Sequence, residues 1–318
     1  MKTKSKIDLT YKIVVASLLI VYALTIFILL GWGLMQSFRF IDDYTYNGAL
    51  SLPTKIEGFE SEYFNALKFG NYKQIMDHFY CEAKVSYFTM FDAYTPVGID
   101  RGQVGLFGLI LNTLYMAIVC SFAQVFITYL VAYLCAKYRF KFSTFIYGLV
   151  IFMMTVPTVG TQPATVTLLQ NLNLFGRYGG MLLMRCCFGG MYFLVFYGFF
   201  EGLPDSYVEA AEIDGASQFN ILLTIIIPLG IKTILTITLI LFVANWNDYS
   251  MSFIYMPAIP TLAFAVYELA HVGYRHSSLT GDVYKIAGCM ILAIPITVIF
   301  AVFRDKIMGD ISAGGLKG

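Results

Sequence analysis

The side chains that could run acid–base or metal chemistry are few, and their intervals do not assemble a reactive centre. The chain has three histidines, His78, His271 and His276. The last two stand with Glu268 and Asp282 in one stretch, but the spacing fits neither a zinc-binding helix nor a nucleophile triad. Six cysteines (Cys81, Cys120, Cys135, Cys186, Cys187, Cys289) form no C-x-x-C pair. Most lie inside apolar runs, where cysteine is a small buried hydrophobe. No catalytic residue and no metal ligand are assigned. A different polar cluster stands out: the stretch 201–228 carries Glu201, Asp205, Glu209, Glu212 and Asp214 and no basic residue.

The elements around that stretch are apolar. Apolar residues make up 58% of the 318-residue chain and charged residues 13%, about half the usual share for a soluble domain. The charges are clustered: residues 13–38, 102–136 and 142–176 carry none. A bilayer core about 30 Å thick is crossed by about 20 helical residues. The chain is therefore read as an all-α integral membrane protein with six transmembrane helices near 13–35, 108–134, 143–168, 179–200, 228–248 and 286–304. Pro157, Gly160 and Pro163 interrupt the third, which is either kinked or ends near Val156. Pro257 and Pro260 break the apolar run 249–267, read as an extracytoplasmic loop lying on or dipping into the membrane.

The organisation that follows is a cytoplasmic N-terminus with the first span over 1–37, an extracytoplasmic loop subdomain over 38–104, a membrane domain over 105–304 and a cytoplasmic tail over 305–318. Lysines before the first span, Lys137, Arg139 and Lys141, and Arg304 with Lys306 all fall on one side of a six-span chain, which puts both termini in the cytoplasm. The lysine-rich start is an uncleaved span, since its apolar run is too long for a signal peptide. A net charge of +1 without a basic, aromatic-laced patch gives nucleic acid no purchase.

The acidic connection between spans four and five runs against the positive-inside pattern, so something other than insertion shaped it. Pro204-Asp205-Ser206 is a helix start, and Ser206 with Glu209 has the form of a capping box. A helix over 206–213 then stops at Asp214-Gly215, where glycine tolerates positive φ, and a second helix runs from Ser217 into the next span. Ala210, Ala211 and Gly215 keep this knob slim. On physical grounds it suits a groove on a partner, and equally it suits packing on its own spans.

Glu209-Ala210-Ala211, Gly215 and Ile225-x-x-Pro228, followed at once by an apolar span, resemble the EAA loop of binding-protein-dependent ABC importer permeases. Asn112, Trp246-Asn247-Asp248 and Pro295 are further matches, and the terminal Gly314-Gly315-Leu316-Lys317-Gly318 is similar to that of the carbohydrate-uptake (MalG-type) subfamily. Lys232 departs from that pattern, as does a long first external loop with an insertion after Asn71-Tyr72. The resemblance implies a type I importer permease fold. It also implies a subunit that moves a sugar, an oligosaccharide by expectation, in the bacterial inner membrane. Its partners would be a homologous sister permease, two cytoplasmic ATP-binding subunits and an extracytoplasmic solute-binding protein. It assigns ATPase coupling to Glu209, Ala210, Ala211, Asp214, Gly215 and Pro228. This chain would hold no cofactor, because it contains no nucleotide-binding fingerprint; the partner subunits would bind the ATP.

Gln162, Asn247 and Asp248 are candidates for lining the path, though the latter two also suit a helix end. Arg185 is the one charge well inside a span. It needs a partner or water, and the plainer reading lets it snorkel outward. An ion-coupled carrier would keep a carboxylate within a span; here only Asp248, at an edge, comes near. A membrane enzyme is disfavoured by the loose histidine spacing.

Overall fold

The computed structural model describes residues 2–53, 68–86, 99–138, 141–156, 160–271, 279 and 281–311. His276, Pro157, Arg139 and the glycine-rich tail signature lie outside the described residues. The chain divides into two units, one formed by 1–79 and 268–294, the other by 80–267 and 295–318.

The first unit contains α1 (Lys2–Ser37), α2 (Ile41–Asn47), α3 (Gly70–His78) and the start of the last helix. From Ile13 onward α1 is uncharged, apolar over most of its surface and largely exposed, which water would not tolerate but a lipid does. Where the chain leaves α1, Arg39 is fully buried and so is Asp43. The Arg39 Nε donates to the Asp43 carboxylate at 2.6 Å, and the other two nitrogens donate to Gln36 Oε1, the Gly48 carbonyl and Ser51 Oγ. A buried charge survives only when paired and hydrogen-bonded in this way. Asn71 donates to the Ser37 and Arg39 carbonyls at 3.0 and 2.8 Å, which binds α3 to the same knot.

The second unit opens with an antiparallel hairpin of β1 (Tyr80–Ser86) and β2 (Ile99–Gly105), pairing Tyr80 with Gly105. The segment expected as a loop subdomain over 38–104 thus contributes one small sheet. Next comes an unbroken helix, Leu106–Lys137, built from α4 (Leu106–Leu114), a π-turn over Tyr115–Cys120 and α5 (Ser121–Lys137). The third expected span is two helices, α6 (Lys141–Thr155) and α7 (Gln162–Asn171), the second carrying Pro163 in its first turn, where its missing N–H costs nothing. The reading that the helix ends near Val156 is the one observed.

The span expected over 179–200 is also corrected. It consists of α8 (Tyr178–Arg185) and α9 (Met191–Glu201), with Cys186–Gly190 outside any helix and Gly190 at φ +100°. The helix expected to run from Ser217 into the fifth span is observed: after α10 (Ser206–Ile213) the chain is continuously helical over Gln218–Trp246. That helix comprises α11 (Gln218–Ile221), a π-turn over Leu222–Ile226 and α12 (Ile227–Trp246). Pro228 sits inside it, immediately past the wider π-turn, a place where a missing backbone donor is accommodated.

Residues 249–267, expected as a loop on or dipping into the membrane, form a π-turn over Met251–Tyr255 and the start of α13 (Leu262–His271), and Met256, Leu262 and Ala265 are almost wholly buried. Thr113 accepts the Leu262 N–H and Asn112 donates to the Pro260 carbonyl, so α4 pins this segment. The last helix, α14 (Asp282–Ile311), carries Pro295 in its interior. Among the described residues four helices are long and apolar enough to cross a membrane: those over Tyr11–Ser37, Leu106–Lys137, Gln218–Trp246 and Asp282–Phe303.

Candidate functional site

The acidic connection folds as two helices meeting at a glycine. Helix α10 covers the expected 206–213, yet the capping box is absent: Asp205 occupies the cap position and makes no side-chain cap bond. The Asp205 carboxylate instead takes the Lys137 ammonium at 2.6 Å. At the other end the backbone closes in a Schellman arrangement. The Gly215 N–H donates to the Glu212 carbonyl at 3.0 Å and the Ala216 N–H to the Ala211 carbonyl at 2.9 Å. Gly215 supplies the required positive φ, +80°. Ser217 then caps α11 by accepting the Asn220 N–H, a start signal that the residue types around Ser217 already carried.

This geometry sorts the expected coupling residues. Ala211 is buried against the core, whereas Glu209, Ala210, Asp214, Gly215 and Pro228 are exposed. A Cβ built on Gly215 would meet no atom within 4 Å. The slimness of the knob is therefore not spent on internal packing at that point. Beneath it lies an aromatic core in which Tyr129 packs edge-on against Phe196 and Phe200, at 5.1 and 4.8 Å between ring centroids. Tyr133 packs on Phe200 at 5.3 Å. Such contacts add about 0.5–1.5 kcal/mol each beyond area burial, so the knob rests on a stiff base.

The path candidates separate differently. Gln162 is exposed at the first residue of α7. Asn247 donates from its side-chain amide to the Val243 carbonyl at 2.9 Å, closing the end of its own helix. Asp248 is the exception. Just beyond α12, one carboxylate oxygen accepts from Ser250 and from the Met251 N–H, and the other pairs with Arg185. The snorkelling reading of Arg185 is therefore replaced by an ion pair. The pair joins residues 63 apart in sequence; the hint was that Arg185 stood well inside a span and Asp248 was the one acid at a span's edge.

Nearby, the Tyr178 hydroxyl donates to Asn112 Oδ1 at 2.5 Å, and Asn245, buried within α12, donates to Ser121 Oγ at 2.7 Å. These contacts link α4 to α8 and α5 to α12 through side chains. Among the described residues no group of His, Cys, Asp and Glu gathers as a metal cluster would.

A helical membrane bundle carrying such a hinged loop defines a class of transport subunits, and sequence comparison agrees. The family model described as binding-protein-dependent transport system inner membrane component matches residues 124–308, and the chain belongs to that family. It is 24% identical over 210 residues to the sulfoquinovosyl glycerol transport system permease protein of Agrobacterium fabrum, covering 65% of this chain and 72% of that one. With the sn-glycerol-3-phosphate transport system permease protein of Yersinia pestis it shares 31% over 156 residues, 49% of this chain and about half, 54%, of the relative. Its fold is similar to that in the crystal structure of a bacterial ABC transporter involved in the import of the acidic polysaccharide alginate. There the TM-score is 0.66 at 20% identity, over 94% of this chain and 96% of the other.

Proposed function

We propose that this chain is the permease subunit of an ABC importer for a carbohydrate, an oligosaccharide by preference, and forms half of the translocation pathway with a homologous sister permease. In this reading an extracytoplasmic solute-binding protein delivers the solute. Two cytoplasmic ATP-binding subunits dock on the knob at 201–228 and hydrolyse the ATP. The single observation that carries the docking role is Gly215, held at φ +80° with open space where a side chain would project. A partner surface approaching the backbone there would explain why the exposed face is built from Glu209, Ala210 and glycine. The carbohydrate class is supported by the relatives named for a sulfoquinovosyl glycerol and a glycerol phosphate.

The six crossings of this reading are α1, α4 with α5, α6 with α7, α8 with α9, α11 with α12, and α14. Both termini then lie in the cytoplasm, as does the knob. The interrupted third and fourth crossings are viable because freed backbone groups in a membrane are tolerated where they face protein or a wet cavity. The Cys187 carbonyl, which accepts the Thr128 hydroxyl at 3.4 Å, is one such group satisfied by protein.

The test is Gly215→Asp against Gly215→Ala in cells expressing the whole transporter. Alanine meets only the backbone penalty, about 1–2 kcal/mol, and keeps uptake. Aspartate adds bulk and charge at the docking surface and abolishes energised uptake at equal membrane abundance. Normal uptake in the aspartate variant would overturn the docking role. The cargo is sought by a thermal-shift screen of the co-encoded solute-binding protein against mono- and oligosaccharides.

A further inference from the structure

The knob is held from the side by a helix to which it is not joined in sequence. The last turn of α5 ends in Lys137, and Tyr138 follows as its C-cap. Lys137 is nearly buried, 11% exposed at its side chain, and its ammonium donates to the Leu203 carbonyl at 2.5 Å as well as to Asp205. Tyr138 donates its hydroxyl to Gln218 Oε1, and the Gln218 amide in turn donates to the Glu212 carboxylate. One strap therefore grips the entrance to the knob. The other grips its exit and reaches back across the Gly215 turn.

The two sides of the knob differ in stiffness. On the exit side, Gln218 begins a helix that continues without a break to Trp246, so a displacement there is carried along a continuous rod. On the entrance side, Gly202–Asp205 belongs to no helix, and a non-helical linker of that length bends rather than pushes. The Lys137 strap bridges that compliant linker. It holds the Leu203 carbonyl and the Asp205 carboxylate to α5, and α5 packs against α9 through Tyr129, Tyr133, Phe196 and Phe200.

We infer that Lys137 and Tyr138 are positioning residues for coupling: they lock the knob to α5, so that a push on the knob moves α5 as well as the covalently joined α12. This rests on the docking reading above. An ammonium that is merely solvated at a membrane surface has no need to be buried against a carbonyl, and a surface pair between mobile side chains contributes little. Here one cation takes a backbone acceptor and a carboxylate at once, and the tyrosine strap acts on the same element from the same turn.

The experiment uses the whole transporter in lipid nanodiscs, with spin labels at Leu134→Cys on α5 and Ser206→Cys on α10. Cys186, Cys187 and Cys289, the half-buried and exposed native thiols, are replaced by serine. The interspin distance is measured without nucleotide and with ATP plus vanadate. With the straps intact the distance stays constant, because α5 and the knob move together. In Lys137→Met/Tyr138→Phe the ATP state shows a shifted or broadened distribution, and Lys137→Arg with Tyr138 retained restores the constant distance. Tyr138→Phe alone removes one hydroxyl and keeps the ring; it gives a partial broadening even if the double variant assembles poorly. A nucleotide-dependent shift in the parent, or an unchanged distance in both strap variants, overturns the inference. Co-purification of the ATPases is scored on a Gly215→Asp arm. ATPases that remain bound to that variant overturn the docking reading itself, whatever the distances show.

Discussion

Gly230 stands where the Tyr129 hydroxyl needs to be: a Cβ at position 230 would lie 2.2 Å from that oxygen. The hydroxyl donates to the Ile226 carbonyl at 2.6 Å, one turn earlier on the same helix. The close approach of α5 to α12 thus depends on a residue without a side chain, and the tyrosine fills the space with a ring and a hydrogen bond. A steric and a polar condition meet at one point, next to the π-turn and two residues from Pro228.

Gly230→Ala forces the fully buried Tyr129 ring to move and costs about 1–3 kcal/mol, the range for overpacking. Tyr129→Phe keeps the ring and loses one buried hydrogen bond, worth about 1 kcal/mol. Thermal unfolding in detergent should rank Gly230→Ala as the more damaging. The reverse order would mean that the hydrogen bond, not the close approach, holds the helices together.

The Arg185–Asp248 pair predicts a pH response with a definite sign. The pair contributes only while the Asp248 carboxylate is ionised, and that contribution is lost in acid as the carboxyl takes a proton. Asp248→Asn removes the charge at every pH, so the difference in unfolding temperature between parent and variant should be constant through neutrality and shrink only in acid. A difference that vanishes near neutral pH would remove the ion pair as its source.

Arg39→Lys tests the knot beside α1. A lysine cannot reach Asp43, Gln36, Gly48 and Ser51 together, because it lacks the planar fork. Truncation to methionine strands the buried Asp43 and costs about 3–5 kcal/mol. Limited proteolysis of the whole transporter should cut the 38–79 segment faster in both variants, and most in Arg39→Met. Equal protection across the three proteins would show that the knot is dispensable.

Much of the architecture could be read from the chain in one dimension. Uncharged runs marked membrane crossings because a charge in hydrocarbon is costly whatever its neighbours. The extent of α10 and the turn at Gly215 were legible because a proline-led helix start, a turn dipeptide and positive φ are local properties, although the capping box read at Ser206 and Glu209 does not form. The interruptions at Val156 and over Cys186–Gly190 were only partly visible. Pro157 and Pro163 announced the first. The second arises where Gly189-Gly190 follows a paired arginine, and hydropathy does not see it.

By itself the sequence determined that this protein lives in a bilayer, that its apolar segments are helical and that one acidic connection turns at Gly215. These follow from solvent and from short-range stereochemistry, which each segment settles alone. Only the tertiary structure decided that Arg185 meets Asp248, that Lys137 takes Asp205 away from a helix cap, and that Tyr129 fills the notch at Gly230. Those partners lie 63 to 101 residues apart. No local propensity encodes which of several polar groups a buried charge will find; packing the helices together does.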